Sequence, residues 1–277
     1  MKILLLAATL GCAWAQPPDI EQIMSRVARN QAKSQDLRKF YVYNQKQLLR
    51  MVCGNGKIAR EEHREYLITP KERGIKKELT RFDGKYERHG EYIAYDKPGY
   101  EYKDVDIDGE LINDMSNDMT NDGSSRDGIA RDLFPLTYHQ QLKYDFRLVK
   151  SETYRGRPVY RVHFEPKKRE HGEDSVVWKG DALIDVEEYQ PVLVTSKLAL
   201  NIPAAVKILL GTNIKGLGFS VSYQKFEDGV WFPVSYGGEF DVRAVFFYKR
   251  TISISMTNSD FRRMNVTSNI AYLTEDK

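Results

Sequence analysis

From Phe40 onward the dominant signal in this chain is alternation. Tyr160, Val162 and Phe164 are interleaved with Arg161 and His163. Ala182, Ile184 and Val186 alternate with Asp181, Leu183 and Asp185, and Leu217, Phe219, Val221 and Tyr223 with Gly218, Ser220 and Ser222. Val230, Phe232, Val234 and Tyr236 share one parity, and Phe240 and Val242 keep it. Successive side chains of a strand point to opposite faces, so this pattern buries one face and wets the other, as antiparallel sheets do. Phe40 to Tyr43 starts the first strand, and further strands are expected over 46–53, 57–68, 74–82, 85–95 and 99–107. Asn55-Gly56, Asp83-Gly84 and Asp108-Gly109 fall where hairpin turns belong. About a dozen strands with tight turns and few helices argue for a mainly β fold: one large curved antiparallel sheet or barrel in a single domain.

Three stretches depart from that rhythm. Residues 19–37 read as an amphipathic helix: Pro17-Pro18-Asp19 is a start signal, and Ile20, Ile23, Met24, Val27 and Gln31 follow helical spacing. Residues 113–128 are polar and turn-rich and read as a surface loop, leading into a short helix near 128–142 that Pro135 interrupts. Leu198 to Gly211 is largely apolar with Lys207 its only charge. Pro203 suits a first helical turn and Gly211 a C-terminal cap, so a short helix is expected at about 203–210. It is either a mobile lid that meets a membrane or a lipid, or a plug packed permanently into the mouth of the sheet.

The first residues imply export. Lys2, the apolar run Ile3 to Leu10 and the small-x-small site Ala13-Trp14-Ala15 form a secretory signal over 1–15, so the domain is expected to occupy 16–277. Cys12 after Gly11 hints at a lipoprotein box, though Thr9 stands where a branched apolar residue belongs. Two readings follow: cleavage after Ala15, or a lipid tether at Cys12. After cleavage Cys53 is the lone cysteine, and it reads as a small apolar residue at a strand end. The whole chain carries a formal net charge of +3; removing 1–15 deletes Lys2 and no acid, giving +2. A nucleic-acid binder would carry a clustered basic face, so none is expected as partner. Arg243, Lys249, Arg250, Arg262 and Arg263 read either as a solvated basic face or as contacts for anionic head groups.

Motifs for catalysis and cofactors are sparse. Asp104, Asp106 and Asp108 followed by Gly109 imitate the start of a calcium loop, but Met115 stands where a bidentate Glu is required. A strand with acids on its wet face is the competing account. The histidines at 63, 89, 139, 163 and 171 form no metal-binding pair. No nucleophile elbow, phosphate loop or dinucleotide fingerprint occurs, and Glu61-Glu62 and Glu187-Glu188 read as solvated acid pairs. The expectation is a non-enzyme without a cofactor.

Three hairpin motifs carry a resemblance. Tyr154 to Val162, with Gly156, Val159 and Tyr160, resembles the G-x-x-V-Y-x-V strand-turn-strand of the periplasmic lipoprotein-localisation (LolA/LolB-like) superfamily. Leu183-Ile184-Asp185 with Pro191-Val192 resembles its I-D-x-x-x-x-x-P-V hairpin, and Asp228-Gly229-Val230-Trp231-Phe232-Pro233 its D-G-x-W-x-P hairpin. The resemblance implies an incomplete barrel with helices over its open, concave face. It also implies an outer-membrane lipoprotein-sorting or lipid-handling role, with lipid or lipoprotein acyl chains as partners, in the periplasm or at the outer membrane. The alternative is an envelope interaction or stress-sensing module with a side-chain-filled interior; a hydrolase or metalloenzyme ranks below both. Candidate cavity residues are Tyr160, Val162, Phe164, Ile184, Val192 and Val194 in the middle strands, and Phe219, Val221, Tyr223, Phe232, Val234, Phe240 and Val242 in the later ones. Leu198, Val206, Ile208, Leu209 and Leu210 are the lid candidates.

Overall fold

The computed structural model describes residues 19–71, 74–103, 106–120, 134–167, 177–200, 213–215, 218–226, 228–244 and 248–264. The expected signal with Cys12, the apolar segment 203–210 and Asp104 lie outside the described residues.

Helix α1, Ile20–Arg38, begins where Asp19 accepts the Glu21 N–H and buries Ile23, Met24, Val27 and Gln31 on one stripe. Strands β1 (Tyr41–Cys53), β2 (Ile58–Pro70), β3 (Ile75–Arg88) and β4 (Glu91–Tyr95) follow as a meander. Then come α2 (Ile107–Thr120), α3 (Tyr138–Gln141), β5 (Tyr144–Tyr154), β6 (Arg157–Pro166), β7 (Val177–Asp185) and β8 (Pro191–Leu200). Strands β9 (Asn213–Lys215), β10 (Gly218–Lys225), β11 (Trp231–Ala244) and β12 (Tyr248–Arg263) complete the described chain. All join one antiparallel sheet in the order β4-β3-β2-β1-β12-β11-β10-β8-β7-β6-β5, with the short β9 beside β11. The sheet is open: β4 and β5 are its two end strands.

A twisted open sheet of this width curls rather than staying flat. Glycines mark where neighbouring strands crowd. A Cβ at Gly180 would strike Thr195 O, and one at Gly238 would strike Gly218 O. The inner face gathers most of the core. One cluster unites Ile23, Met24 and Val27 of α1 and Leu111 and Ile112 of α2 with inner-face side chains of β1, β2, β6–β8 and β10–β12. The architecture is therefore the one the resemblance implies, an open antiparallel sheet with helices on one face. Among the described residues no helix is long and apolar enough to cross a membrane.

Several expectations need correction. Asp83-Gly84 is not a turn; both residues pair with β2 in mid-strand. Gly84 is needed there because the Tyr95 ring lies 2.6 Å from where a Cβ would stand. The turn falls instead at His89-Gly90, with φ of 54° and 89°, the two positive values a tight hairpin requires. Residues 99–103 do not form a strand, Ile107 already belongs to α2, and Asp108-Gly109 is in its first turn. The expected loop over 113–128 is helical as far as Thr120. Asp106 starts this helix, its carboxylate accepting the Gly109 N–H at 3.2 Å and its carbonyl the Glu110 N–H at 3.0 Å. The expected helix near 128–142 shrinks, among the described residues, to Tyr138–Gln141. The motif hairpins do sit at hairpins: Arg155-Gly156, with φ of 48° and 79°, joins β5 to β6, and Asp228-Gly229 joins β10 to β11.

Candidate functional site: a divided inner face

On β6, β7 and β8 the inner positions Tyr160, Val162, Phe164, Ile184 and Val194 belong to the main cluster, as do Phe219 and Val221 of β10 and Phe240 and Val242 of β11. Leu198 and Tyr223 pack at its margin, half-buried. Three candidate residues are placed elsewhere. Ile184 pairs with Pro191 and Leu183 with Leu193, so Val192 is the extra residue of an irregularity. It packs with Val159, Leu183 and Trp231 in a separate cluster. Val234 is likewise unmatched, between Pro233 opposite Tyr223 and Ser235 opposite Ser222. Phe232 joins Tyr41 and Val230, with Phe226 and Phe261 against them.

The other half of the inner face is polar, and sequence reasoning missed it. Inner positions of β1 run Gln45, Gln47, Leu49, Met51; opposite them on β2 stand Tyr66, Arg64, Glu62 and Arg60. Arg60 and Glu62 are 0 % exposed and Arg64 2 %. The expected solvated acid pair is thus split. Glu61 is also buried, on the opposite parity, and is held by Arg50 at 2.6 Å and Lys85 at 2.9 Å, which keep its carboxyl below the usual range against the cost of burial. Of the other expected solvated pair, Glu187 is exposed, while half-buried Glu188 accepts hydrogen bonds from Trp231 Nε1 at 3.0 Å and Lys225 Nζ at 2.7 Å.

Charges this deep survive only when paired and hydrogen-bonded. Arg64 Nε donates to Glu62 Oε2 at 2.6 Å, and Tyr95 OH donates to Glu62 Oε1 at 2.6 Å. Arg60 is ion-paired with Asp106 and donates to Tyr100 O at 2.9 Å, and its guanidinium lies 5.0 Å from the Tyr95 ring and 5.7 Å from that of Tyr86. Tyr102 stacks on Tyr86 and Tyr100 on Tyr95, closing an aromatic wall around Arg60. Burial, then the neighbouring Glu62 charge, pushes the Tyr95 hydroxyl well above the ordinary phenol range, so it stays a donor.

Helix α2 is fastened to this half by polar contacts. Asp106 meets Arg60. Asp108 accepts from Tyr248 OH at 2.6 Å and from Arg250 Nε and Nη2 at 3.0 Å each. Ser116 Oγ donates to Gln47, which donates to Gln45, which donates in turn to Tyr236 OH and Asn258. Of the three calcium candidates, Asp106 and Asp108 have their carboxylates engaged by guanidinium groups, and Asp104 lies outside the described residues. The competing account, acids on the wet face of a strand, does not hold for Asp106 and Asp108, which begin α2. Arg250 faces inward rather than contributing to a solvated basic face. Cys53 does end β1, half-buried against the main cluster. Among the described residues no group of three metal-ligating side chains occurs.

Geometry thus defines a class: an open antiparallel half-barrel whose covered face is apolar toward β5 and ionic toward β4. No protein-family model and no curated protein matches the chain. Solved structures do. A putative outer membrane lipoprotein-sorting protein domain from Vibrio parahaemolyticus matches with 12% identity and a TM-score of 0.40, over 91% of this chain and 96% of that one. A DUF1329 family protein from Desulfovibrio piger matches with 11% identity and a TM-score of 0.35, over 92% and 97%. A LolA superfamily protein from Nitrosomonas europaea matches with 9% identity and a TM-score of 0.33, over 89% and 94%. The fold assignment rests on the strand order itself.

Proposed function

We propose that this chain is an exported cell-envelope protein that holds an acyl chain, of a lipid or a lipoprotein, against the apolar half of its inner face without covalent chemistry. One observation carries the reading. Among the described residues, the apolar inner face runs as far as the end strand of the sheet, where Phe146 and Leu148 of β5 are half-buried beside fully buried Phe164 and Val162. Tyr138 and Leu142, exposed around α3, extend the apolar margin outward. Covering such a margin with a chain gains about 0.8 kcal/mol for each CH₂ taken from water. Among the described residues, the buried carboxylates of the ionic half, Glu62 and Asp106, are each paired with an arginine.

A side-chain-filled interaction module is the second reading, and the complete burial of Val162, Ile184, Val194 and Val221 favours it. Binding of hexadecanol separates the two. Phe146→Asp and Leu148→Asp are expected to weaken it at least tenfold in protein that is still folded at the assay temperature, although each lowers the thermal midpoint because the side chain packs against the main cluster, and Val149→Asp, at an exposed position on the same strand, to leave binding intact. Wild-type protein that takes up no hexadecanol supports the filled module instead.

A further inference from the structure

An open sheet must manage its edges, because an edge strand presents unpaired N–H and C=O groups to any strand that meets it. Among the described residues the long sheet ends at β5 on one side and at β4 on the other, and β4 pairs only with Gly84–Arg88 of β3. The earlier stretch of β3, Ile75–Asp83, is therefore an edge as well. Both β5 and this stretch of β3 are guarded. In β5, Val149 is unmatched between Leu148 opposite Val162 and Lys150 opposite Arg161, and Asp145, Arg147 and Lys150 are exposed. In β3, Thr80 is unmatched between Leu79 opposite Tyr66 and Arg81 opposite Glu65, and Lys76, Glu78, Arg81 and Asp83 are exposed. Bulges and charges of this kind keep an edge from pairing.

Strand β4 has neither device. It pairs with β3 without an irregularity, and it carries no charge between Glu91 and Asp96. Glu91, Tyr92, Ile93 and Ala94 are all exposed, Tyr92 to 53% and Ile93 to 37%. Tyr95 is turned to the inner face, where its hydroxyl meets Glu62. Ile93 shares that face, and Tyr92 and Ala94 take the outer one. The strand is also complementary to itself. Paired antiparallel with a second copy about Ile93, it sets Ile93 against Ile93 on the inner side and Tyr92 beside the small Ala94 on the outer side. Glu91 then stands opposite Tyr95 and diagonal to Lys97, within reach of a long side chain, and the twofold axis repeats this opposite-charge pair. We infer that β4 is an interface between two copies of this chain, which join their sheets edge to edge through antiparallel β4 strands. So short a pairing buries little surface, and the association is weak and reversible. It leaves the β5 margins at the two far ends of the joined sheet, so it stands apart from the chain-holding reading.

Sedimentation equilibrium of the purified chain over a range of concentrations tests this. The weight-average mass is expected to rise from one chain toward two, with a midpoint in the micromolar range. Ile93→Lys sets like charges against each other on the twofold axis and is expected to weaken association at least tenfold. Val149→Lys, on β5, is expected to leave it unchanged. Charge exchange identifies the partner as a second copy. Glu91→Lys alone and Lys97→Glu alone each bring like charges together across the axis, and each is expected to associate several-fold more weakly than the parent. Mixed in equal amounts, the two variants restore both opposite-charge pairs and are expected to recover the parental association. All four positions are exposed, so the thermal midpoints of the separate chains stay near that of the parent. A parent chain that stays monomeric at every concentration overturns the inference and leaves the edge to a strand of a different protein. A dimer indifferent to Ile93→Lys, or a mixture no more associated than its components, overturns it as well.

Discussion

Glu62→Gln lowers the stability of the folded chain by about 3–5 kcal/mol, the cost of breaking a buried ion pair from one side. Glu62 accepts from Arg64 and from Tyr95 and lies 3.8 Å from Arg60, with no exposure of its own. The amide keeps the volume and one acceptor but removes the charge, and both guanidinium groups stay buried with a single carboxylate, Asp106, which reaches only Arg60. Urea unfolding at neutral pH measures the loss as a lower midpoint with an unchanged slope. A compensated variant gives the opposite result. Arg60→Met, Glu62→Leu and Arg64→Met, combined with Asp106→Asn to retain the start of α2, is expected to be neutral or more stable than the parent, because desolvation of the charges is avoided. A loss below about 1 kcal/mol for Glu62→Gln would mean that water reaches the cluster, since exposed pairs contribute no more than that.

Gly238→Ala costs about 3 kcal/mol or more, although it adds one methyl group. The new Cβ would meet Gly218 O of the neighbouring strand and stand 3.0 Å from Phe219 Cδ1. A backbone oxygen cannot rotate away as a side chain can, so β10 and β11 must separate where Phe219 and Val221 line the apolar half. Gly156→Ala is the contrast. It meets nothing within 4 Å, but φ is +79°, so only left-handed strain remains, about 1 kcal/mol. Thermal unfolding of the two variants orders them, and similar midpoints would show that the strands approach less closely than described.

How much of this could be read from the chain depended on where hydropathy has contrast. α1, the turns at Asn55-Gly56, Arg155-Gly156 and Asp228-Gly229, and the shared face of Tyr160, Val162, Phe164, Ile184, Phe219 and Val221 were legible, because apolar and polar residues alternate there at one period. Between Arg60 and Glu65 every residue is polar on both parities, so the period carries no information about which charges are buried. Helix α2 was hidden for a related reason. Asn113, Asp114, Ser116 and Asn117 favour turns locally, yet the helix is held from outside by Arg60, Arg250, Tyr248 and Gln47. The places of Val192 and Val234 depended on strand irregularities, which shift one residue against its partner strand and leave no mark in composition.

The central claim is that the inner face holds a long acyl chain. Native mass spectrometry of the chain purified from its native source without detergent, followed by solvent extraction, addresses it most directly. The account predicts a mass exceeding that of the polypeptide by one long-chain molecule, and recovery of a lipid in the extract. A mass equal to the bare polypeptide, an extract without lipid, and no uptake of hexadecanoate on later addition would contradict it.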